Sequence, residues 1–531
     1  MAKRQDELAA YNFARKRTVA AFLAPSPGGS EEGAPRPMRT VTPSLALGVV
    51  LVIGFIAYGV IKPTAPAGWD TAGEYIIVDS DSTTRYVVLP DKAAKGGKVL
   101  HPVLNYASAK LLLDKGKGSV LEVSGSEIDK SGIAHGATIG IPYAPDRLPS
   151  ASDAQKAKTW AVCERPASGG GSDNSIDRAV FVLDAGDAKT LDDSGKVDSS
   201  EALYVKDGKS GLEYLIDGKG NRFLLGGVGL GNANMESLRS AVIGSSSRTT
   251  PQPVSQEWLK TLNPGENITF PTVPQANQPT AVQGLPAQAR TVGQVLKAQD
   301  AQGWQNYVVL KNKVAAVSPL VAALLEASPS AQSASGSGGN EAITVDRQAI
   351  ITANNGGADK FYEDKGWPEQ VPRQANPATS ATGQARTTSC SVYNGTFGAD
   401  KKPQLAAWAG TNFPKKVVSD SLSAYVSSGS GLLFKELTGG AGGGGAQYLL
   451  TDTGLRYSLP SNNDSTAKGS TAVSSSSASD GSQSASETDK ARTRLGYGDI
   501  TNLTLVPQTW AEFIPKGPTL DTGAASQEQS Q

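Results

Sequence analysis

The chain has 531 residues and a formal net charge of zero, with 50 lysines and arginines against 50 aspartates and glutamates. This balance argues against a nucleic-acid partner, for which a basic stripe is expected. Glycine and proline number 59 and 31, so the composition indicates many turns and neither a coiled coil nor a long helical bundle. The length leaves room for several domains.

An uncharged stretch from Thr40 to Ile61 is the first element with a clear physical role. At about 1.5 Å per residue it is long enough to cross the roughly 30 Å hydrocarbon core of a bilayer. Lysines and arginines are frequent before it, whereas only Lys62 follows closely. The positive-inside bias therefore predicts a single-pass protein of the cell membrane, with residues 1–39 in the cytoplasm, a transmembrane helix over 40–62 and an extracytoplasmic remainder. A cleaved signal peptide is the alternative, because Ala65-Pro66-Ala67 has the small residues of a cleavage site.

The cytoplasmic part is predicted to contain a basic amphipathic helix. The apolar residues of this helix are Leu8, Tyr11, Val19 and Phe22. The basic residues Arg15, Lys16 and Arg17 lie beside them. Such a helix either lies on anionic lipid or docks on a partner protein.

Four small β-meander repeats are predicted in the extracytoplasmic region, each with three short strands joined by glycine turns. The second repeat (200–247) and the fourth (405–520) share a spacing, because Tyr214 precedes Arg222 by the same interval as Tyr448 precedes Arg456. Their predicted strands are 203–206, 212–216 and 222–225 in the second repeat, and 432–435, 447–450 and 456–459 in the fourth.

The first repeat (63–116) and the third (285–327) are predicted to end in a helix instead of glycine. Their predicted strands and helices are 75–78, 85–89, 98–101 and helix 104–113 in the first, and 295–297, 304–310, 313–317 and helix 320–325 in the third. Each unit is too small to bury a core alone. We therefore expect the repeats to pack on one another or on a central body.

Cys163 and Cys390 are the two cysteines of the chain. In an extracytoplasmic compartment an even pair predicts a disulfide, and two unrelated buried thiols are the alternative. Both cysteines stand in segments that alternate as half-buried strands do, 160–163 and 389–393. The expected fold is thus mainly β with short helices (α+β), with the repeats around a disulfide-tied central domain made of residues 117–199 and 341–404.

Several segments have the composition of linkers, and we expect them to be mobile or disordered. They are residues 25–37, 328–340 and 439–445, the serine-rich insertion 461–490 within the fourth repeat, and the tail 521–531.

Motifs for catalysis are poorly represented in the sequence. Gly208-Lys209-Ser210 matches the end of a phosphate-binding loop, but Leu203 stands where the first glycine belongs, and the tripeptide joins two predicted strands. Gly227 to Asn232 falls one glycine short of a dinucleotide-binding motif and is interpreted as a linker. His101 and His135 are the only histidines, and a zinc site would need other ligands. We predict no catalytic residue, cofactor or metal ligand, and Cys163–Cys390 is the one assigned site.

Four stretches together resemble the EccB family, the membrane-anchored component of actinobacterial type VII (ESX) secretion systems. The most specific is Lys98-Val99-Leu100-His101-Pro102-Val103-Leu104-Asn105-Tyr106-Ala107-Ser108-Ala109-Lys110-Leu111, and the others are residues 4–13, 160–163 and 514–520. The resemblance covers essentially the whole chain. The serine-rich insertion and the glycine run at 442–445 depart from the family pattern and indicate longer loops.

The resemblance implies a structural subunit that anchors and scaffolds a translocon for WXG100-type proteins. Because the sequence has no clear catalytic motif, we expect this subunit to be non-enzymatic. The implied partners are the motor ATPase EccC, the channel candidate EccD, EccE, further copies of the chain and the lipid bilayer. Repeats of this family look like cell-wall-binding modules of phage lysins, which implies peptidoglycan contact as a secondary role. A membrane-anchored cell-wall-binding protein acting alone is the first alternative. An extracytoplasmic ATP hydrolase is the second, since the family has been linked to ATP hydrolysis.

Overall fold

The computed structural model describes residues 4–23, 38–61, 65–167, 175–193, 195–227, 230–244, 249–301, 303–330, 341–354, 359–378, 385–417, 423–438, 445–460 and 486–529. The chain divides into two units. Unit 1 comprises Met1–Asp70, Ile77–Thr83 and Leu121–Gly132, and unit 2 comprises Thr71–Ile76, Thr84–Val120 and Ile133–Gln531.

The helices of the described residues are mostly short. They are α1 (Arg4–Leu23), α2 (Met38–Ile61), α3 (Tyr106–Leu112), α4 (Gly125–Lys130), α5 (Ala151–Ala154), α6 (Lys189–Asp192), α7 (Asn232–Ile243), α8 (Gln256–Leu259), α9 (Pro319–Glu326), α10 (Arg347–Asn354), α11 (Glu487–Leu495), α12 (Gln508–Ala511) and α13 (Thr522–Ala525), with 3-10 turns at Ala287–Ala289 and Glu363–Lys365.

Strands dominate the rest of the described chain. They are β1 (Tyr75–Asp79), β2 (Arg85–Pro90), β3 (Lys98–Val103), β4 (Ser119–Val123), β5 (Ala134–His135), β6 (Thr159–Pro166), β7 (Ile176–Leu183), β8 (Glu201–Asp207), β9 (Glu213–Asp217), β10 (Asn221–Leu224), β11 (Gln252–Val254), β12 (Asn263–Pro264), β13 (Val295–Asp300), β14 (Gly303–Val309), β15 (Val314–Val317), β16 (Ile343–Thr344), β17 (Arg373–Gln374), β18 (Thr388–Phe397), β19 (Pro403–Gly410), β20 (Ser423–Val426), β21 (Leu432–Leu437), β22 (Gln447–Leu450), β23 (Arg456–Leu459) and β24 (Thr504–Pro507). The mainly β class with short helices is confirmed.

Unit 1 contains the two longest helices, α1 and α2. Every described side chain of α1 is exposed, as are residues 41–56 of α2. In the part of the chain that the structure describes, no helix is both long and apolar enough to cross a membrane. The single-pass anchor over 40–62 stays a prediction.

The central sheet of unit 2 has the strand order β19-β18-β6-β7-β20. β18 pairs antiparallel with β19 and with β6, β6 pairs antiparallel with β7, and β20 pairs in parallel with β7. Most residues of β6 and β7 are buried, because both faces of the sheet are covered. β19 and β20 carry this sheet past residue 404, where the fourth repeat was expected to have begun.

Three other sheets of unit 2 share one plan: a three-stranded antiparallel meander, then a helix, then a strand that pairs in parallel with the first strand of the meander. In the second sheet β11 follows α7 and pairs with β8, in the third β16 follows α9 and pairs with β13, and in the fourth β24 follows α11 and pairs with β21. The helix supplies the crossover that a parallel pairing requires. In unit 2, β2 and β3 form an antiparallel pair, which β5 joins in parallel with β3. The division into four repeats stays a prediction.

The predicted meander strands lie where the structure has strands, but two helices were missed. The expectation that only the first and third repeats end in a helix is wrong, because α7 and α11 follow the second and fourth meanders. α7 begins at Asn232, inside the stretch interpreted as a linker, and buries Leu238 and Val242, which lie one turn apart. Residues 228–229 of that stretch lie outside the described residues.

The predicted linkers have mixed outcomes. Residues 25–37, 331–340, 439–444 and 461–485 lie outside the described residues. The last part of the serine-rich insertion, 486–490, forms the start of α11, where the Ser486 hydroxyl caps the helix. The tail differs from the expected disorder: α13 spans Thr522–Ala525, Asp521 caps it, and Ala525 is fully buried in an apolar cluster with Ala107 and Leu111.

One apolar core joins three sheets of unit 2. It contains Trp160 and Val182 of the central sheet, side chains of the second sheet such as Val205, and side chains of the fourth sheet such as Phe434. The Trp160 and Phe434 rings meet edge to face with centroids 5.9 Å apart. The second and fourth sheets therefore share a core with one face of the central sheet.

Candidate functional site

Cys163 and Cys390 form a disulfide between neighbouring strands of the central sheet. They lie directly opposite each other on β6 and β18, with Cα atoms 4.0 Å apart, and both are fully buried. The disulfide belongs to the same apolar cluster as Phe181 and Trp408. Short segments cover this face through Leu191 of α6 and through Phe413 and Val417, which follow β19.

The opposite face of the sheet carries a buried carboxylate. Glu164 is fully buried, and its side chain accepts hydrogen bonds from Arg178 Nε at 2.6 Å, Ser255 N at 2.7 Å and Ser255 Oγ at 2.6 Å. Ser255 in turn caps α8, because its hydroxyl accepts a hydrogen bond from Trp258 N at 3.1 Å. A buried carboxylate is tolerated when its charge and lone pairs are matched in this way. Glu164 thereby fixes the start of α8 on the central sheet.

A second buried polar network ties the second sheet to β18. Asn376 is 1% exposed, and its amide pairs with the Tyr204 backbone, accepting from Tyr204 N at 2.9 Å and donating to Tyr204 O at 3.1 Å. The same amide donates to Gln252 Oε1 at 3.1 Å, which also accepts from Ser389 Oγ at 2.8 Å. Gln252 Nε2 closes the link by donating to Glu164 O at 3.1 Å. Because each amide is satisfied, the network specifies one docking geometry for the second sheet.

The fourth sheet is tied by Tyr393 and by an ion pair. Tyr393 of β18 donates its hydroxyl to Leu505 O on β24 at 2.6 Å, and burial raises the pKa of this tyrosine. Arg456 is 3.0 Å from Glu436, donates to Ile514 O at 3.0 Å, and stacks on Tyr448 at 4.8 Å from the ring centroid. Tyr393 thus holds β24 against the central sheet, and Arg456 holds Ile514 against the meander.

A polar cluster closes the β7 end of the central sheet. The Asp187 carboxylate accepts hydrogen bonds from Lys415 Nζ and Ser427 Oγ, each at 2.6 Å, and from Tyr425 Oη at 3.3 Å. The Lys415 and Ser427 hydrogen bonds hold the pKa of Asp187 below its usual value. The cluster joins the segment after β7 to the segments around β20.

The one phosphate-loop candidate is a turn closed by its own carboxylate. Asp207 accepts hydrogen bonds from Lys209 N at 3.0 Å and Ser210 Oγ at 2.5 Å, and Gly211 N donates to Asp207 O at 2.9 Å. Gly208 N donates to Val254 O at 2.9 Å. The amides and hydroxyl that a phosphate would need are therefore bound to protein oxygens, and the carboxylate beside them repels an anion.

The turn after β1 in unit 1 has the same bonding pattern. Asp79 accepts from Asp81 N at 3.0 Å and Ser82 Oγ at 2.6 Å, and Thr83 N donates to Asp79 O at 2.8 Å. Asp81 thus occupies the position that Lys209 has in the turn after β8. Because the same turn forms with opposite charges at this position, the lysine is not required by its geometry.

The two histidines lie on the sheet that contains β3 and β5. His101 Nδ1 donates to Ala137 O at 2.9 Å, and the His135 ring meets Tyr86 edge to face at 6.1 Å between centroids. Within the described ranges, no group of three His, Cys, Asp or Glu side chains is arranged to hold a metal ion.

The chain matches the family model described as "Type VII secretion system ESX-1, transport TM domain B" over residues 2–531. The chain belongs to this family. The "ESX-1 secretion system ATPase EccB1" of Mycolicibacterium smegmatis (strain MKD8) is 28% identical over 296 residues, which are 55% of each chain. The "ESX-3 secretion system ATPase EccB3" of Mycobacterium tuberculosis (strain H37Rv) is 24% identical over 475 residues, 82% of this chain and 78% of the relative. The chain thus spans about half the length of the EccB1 relative and more of EccB3.

Solved structures related to this family share the fold. A chain of "Structure of an intact ESX-5 inner membrane complex, Composite C3 model" aligns with a TM-score of 0.57 and 20% identity, covering 100% of this chain and 96% of that one. A chain of "Structure of EccB3 dimer from the ESX-3 core complex" aligns with a TM-score of 0.56 and 20% identity, covering 85% and 99%. At this identity the likeness establishes the fold.

The buried polar contacts of this chain, apart from the disulfide, were not predicted from the sequence. The cysteine pair was visible because cysteine is rare in this chain. Glu164, Asn376 and Asp187 gave no signal, since a single acidic or amide residue in a strand or loop is usually solvated. Ser255 was detectable in principle, because a serine directly before a helix with an acidic residue, here Glu257, in its first turn is an N-cap signature.

Proposed function

We propose that this chain is a structural subunit of the type VII secretion membrane complex, where it anchors and scaffolds the translocon that exports WXG100-type proteins. The observation that carries the proposal is the joining of the second and fourth sheets to the central sheet by one core. Two buried polar networks add to it at the second sheet, and the hydrogen bond from Tyr393 to Leu505 adds to it at the fourth. A rigid body of this kind suits a scaffold, because its surfaces keep fixed relative positions without a ligand.

The proposed placement follows the charge pattern of the N-terminal region. Residues 40–62 form the single-pass anchor, α1 lies in the cytoplasm, and the sheets lie on the extracytoplasmic side. α1 docks on a partner subunit, with apolar Leu8, Tyr11 and Phe22 exposed and available for contact. The proposed partners are EccC-, EccD- and EccE-like subunits, further copies of this chain and the lipid bilayer, with peptidoglycan contact as a secondary role. The repeat and central-domain boundaries predicted from sequence belong to this proposal.

The proposed role requires no chemical step. Relatives are named ATPases, so the question is whether the phosphate-loop candidate, Gly208-Lys209-Ser210, could bind a nucleotide phosphate. Asp207 occupies the amide and hydroxyl of that turn, and the turn joins two strands instead of opening a helix. Phosphate binding needs free amides at a helix start. The bonding of this turn therefore supports a non-enzymatic subunit.

Co-purification and export test the proposal together. The full chain, extracted in mild detergent, is expected in a large assembly with the other translocon subunits. Recovery as a lone single-pass protein would favour the stand-alone wall-binding alternative. Deletion of residues 4–23 is expected to release the chain from the assembly and stop export of a WXG100-type protein, whereas Lys209→Ala is expected to leave both intact. Loss of export in an assembled Lys209→Ala complex would restore the ATP-hydrolase alternative.

A further inference from the structure

Asn394 and Gly395 form an asparagine–glycine pair on strand β18 of the central sheet. Such a pair is chemically labile, because the backbone nitrogen of the glycine can attack the asparagine side chain, and glycine has no side chain to hinder the attack. A second pair, at residues 355–356, lies outside the described residues. In a folded chain the reaction needs an exposed side chain, a backbone that can adjust and an amide that is not held by hydrogen bonds.

The backbone after Tyr393 leaves the regular sheet in a bulge. Tyr393 pairs with Leu405 on β19, and the next residue of β18 to pair is Phe397, which lies opposite Pro403. Residues 394–396 therefore stand opposite a single residue of β19. The pairing of β18 with β6 also ends at Tyr393. Because a bulge disrupts the ladder locally, the backbone of 394–396 is not locked as it would be in a regular strand.

Glycine is required at position 395 by the backbone itself. Gly395 has a φ of 80°. A Cβ atom at this position would lie 3.0 Å from Ala157 Cβ and 3.1 Å from Lys158 O, so any other residue would be strained and crowded. The fold thus keeps the reactive glycine, and the pair can be avoided only by changing Asn394.

The Asn394 side chain has the exposure and the freedom that the reaction needs. Asn394 is exposed, and together with residues of β19 and of the segment 188–196 it lines a cavity of about 230 Å³. In the part of the chain that the structure describes, no hydrogen bond involves its side-chain amide. The buried Asn105, by contrast, donates its amide to Ile141 O at 2.7 Å. Water therefore reaches Asn394, and its amide can turn toward the Gly395 nitrogen.

We propose that Asn394 is a site of spontaneous modification, at which the folded chain loses ammonia and gains a carboxylate. The Gly395 nitrogen gives up its proton and bonds to Asn394 Cγ, the bond from Cγ to Nδ2 breaks, and ammonia leaves with that proton. Water then opens the cyclic imide at either of its carbonyls, which gives aspartate or isoaspartate. The sum is asparagine and water to aspartate and ammonia, and nothing is oxidised or reduced.

Each event changes the charge of the chain in a measurable way. It adds one negative charge to a chain whose formal net charge is zero. The new carboxylate lies on the wall of the cavity that Asp192 and Lys196 also line, and the side chains of these two residues are 3.8 Å apart. Older chains are therefore expected to be more acidic than newly made ones. This inference goes beyond the scaffold function and does not depend on it.

Mass spectrometry of the incubated full chain tests the proposal. The folded chain is kept in detergent at mildly alkaline pH, then reduced and digested with trypsin, which releases residues 387–401 with Asn394 as their only asparagine. This peptide is expected to gain the mass that separates an acid from its amide in a growing fraction of chains. An isoaspartate methyltransferase is expected to label it. The fraction is expected to grow faster at higher pH, because the Gly395 nitrogen has to lose its proton. An unchanged peptide, or a change that occurs only when the chain is unfolded in urea, would overturn the proposal.

Two controls show whether the local structure selects Asn394. Asn394→Gln keeps an exposed amide but forms the larger imide ring much more slowly, so its peptide is expected to stay unchanged while the melting temperature equals that of the wild type. Asn277 is the internal control: it is exposed and has a φ of 65°, but Gln278 follows it and its Nδ2 donates to Ser330 O at 3.1 Å. Modification of Asn277 at the same rate, or an unaltered mass gain in Asn394→Gln, would contradict the proposal. None of these measurements requires another subunit, so the scaffold function is tested separately.

Discussion

Glu164 binds Ser255 twice, through the backbone N–H at 2.7 Å and the hydroxyl at 2.6 Å, although the two residues are 91 positions apart. The preceding residue on the same strand, Cys163, faces the other side of the sheet and is bonded to Cys390. Adjacent residues of β6 therefore link the central sheet in two different ways: the disulfide fixes two strands within the sheet, and the carboxylate fixes α8 on its face.

Removing the Glu164 carboxylate should destabilise the fold. Glu164→Ala leaves Arg178 and both Ser255 donors without their acceptor, and losing one partner of a buried charge pair costs about 3 kcal/mol or more. The free energy of unfolding, measured in urea on the full chain, is expected to fall by this amount. Glu257→Ala is the control: Glu257 also contacts Arg178, at 3.6 Å, but it is 60% exposed, so its removal is expected to change stability by at most about 0.5 kcal/mol. Similar losses of stability in the two variants would show that the buried Glu164 carboxylate does not stabilise the fold.

The disulfide is expected to stabilise the chain strongly. Cys163 and Cys390 are 227 residues apart in sequence, and the chain-entropy relation gives about 5 kcal/mol for closing a loop of this size. The Cys163→Ala/Cys390→Ala variant should therefore unfold at a markedly lower urea concentration. Thiol titration of the unfolded wild-type chain is the check on the bond itself: no reactive thiol is expected before reduction and two after it. Two reactive thiols without reductant would contradict the disulfide.

Asp207 and Lys209 should behave in opposite ways although both lie in one turn. Asp207→Ala removes the acceptor of two hydrogen bonds, and a lost bond to a charged group costs about 1.5–3 kcal/mol. Lys209→Ala keeps the backbone N–H that Asp207 binds, so the melting temperature is expected to stay within about one degree of wild type, as for an ordinary surface change. Lys219→Ala is the matched control, because Lys219 is also exposed and its backbone N–H donates in the same way to Asp217 at 2.9 Å. A stability loss in Lys209→Ala equal to that of Asp207→Ala would contradict this account.

Local patterns predicted the strands well, and distant pairing explains what was missed. The strands 447–450 and 456–459 could be read from alternating residues and glycine turns, which depend on near neighbours. α7 was missed because its apolar residues follow a glycine-rich stretch that is typical of a linker. Asn376 was missed because its partner, Tyr204, is 172 residues away, and nothing near Asn376 in the sequence indicates that pairing.

The two strands that carry the cysteines show what the sequence could predict and what it could not. Alternation at 160–163 and 389–393 predicted that the cysteines lie in strands, and their register on β6 and β18 agrees. The addition of β19 and β20 to the same sheet was not predicted, since β19 resembles a meander strand as much as a central one. Which sheet a strand joins depends on the rest of the fold.

Asp187 should make stability depend on pH in the acid range. Its pKa is lowered by hydrogen bonds from Lys415 and Ser427, so the folded chain holds fewer protons than the unfolded chain near the usual carboxyl pKa. That contribution is complete above the unfolded pKa and is lost as pH falls through the lower folded value. The stability difference between wild type and Asp187→Asn is expected to be constant above about pH 5 and to shrink below about pH 4. A difference that stays constant down to pH 2 would contradict the assignment.

The C-terminal tail should contribute to stability. Thr522 donates to Glu487 from its backbone at 3.0 Å and from its hydroxyl at 2.5 Å, Gln529 N donates to Thr138 O at 2.9 Å, and Ala525 is fully buried. Three hydrogen bonds at about 1 kcal/mol each, less the cost of ordering the segment, predict a loss of about 1–3 kcal/mol on truncation after Leu520. Removal of residues 530–531 alone is the matched control, and it is expected to leave the melting temperature unchanged. An unchanged melting temperature after truncation at Leu520 would contradict this prediction. The tail would then behave as the disordered segment that its composition predicts, and the contacts of α13 with α3 would contribute nothing to stability.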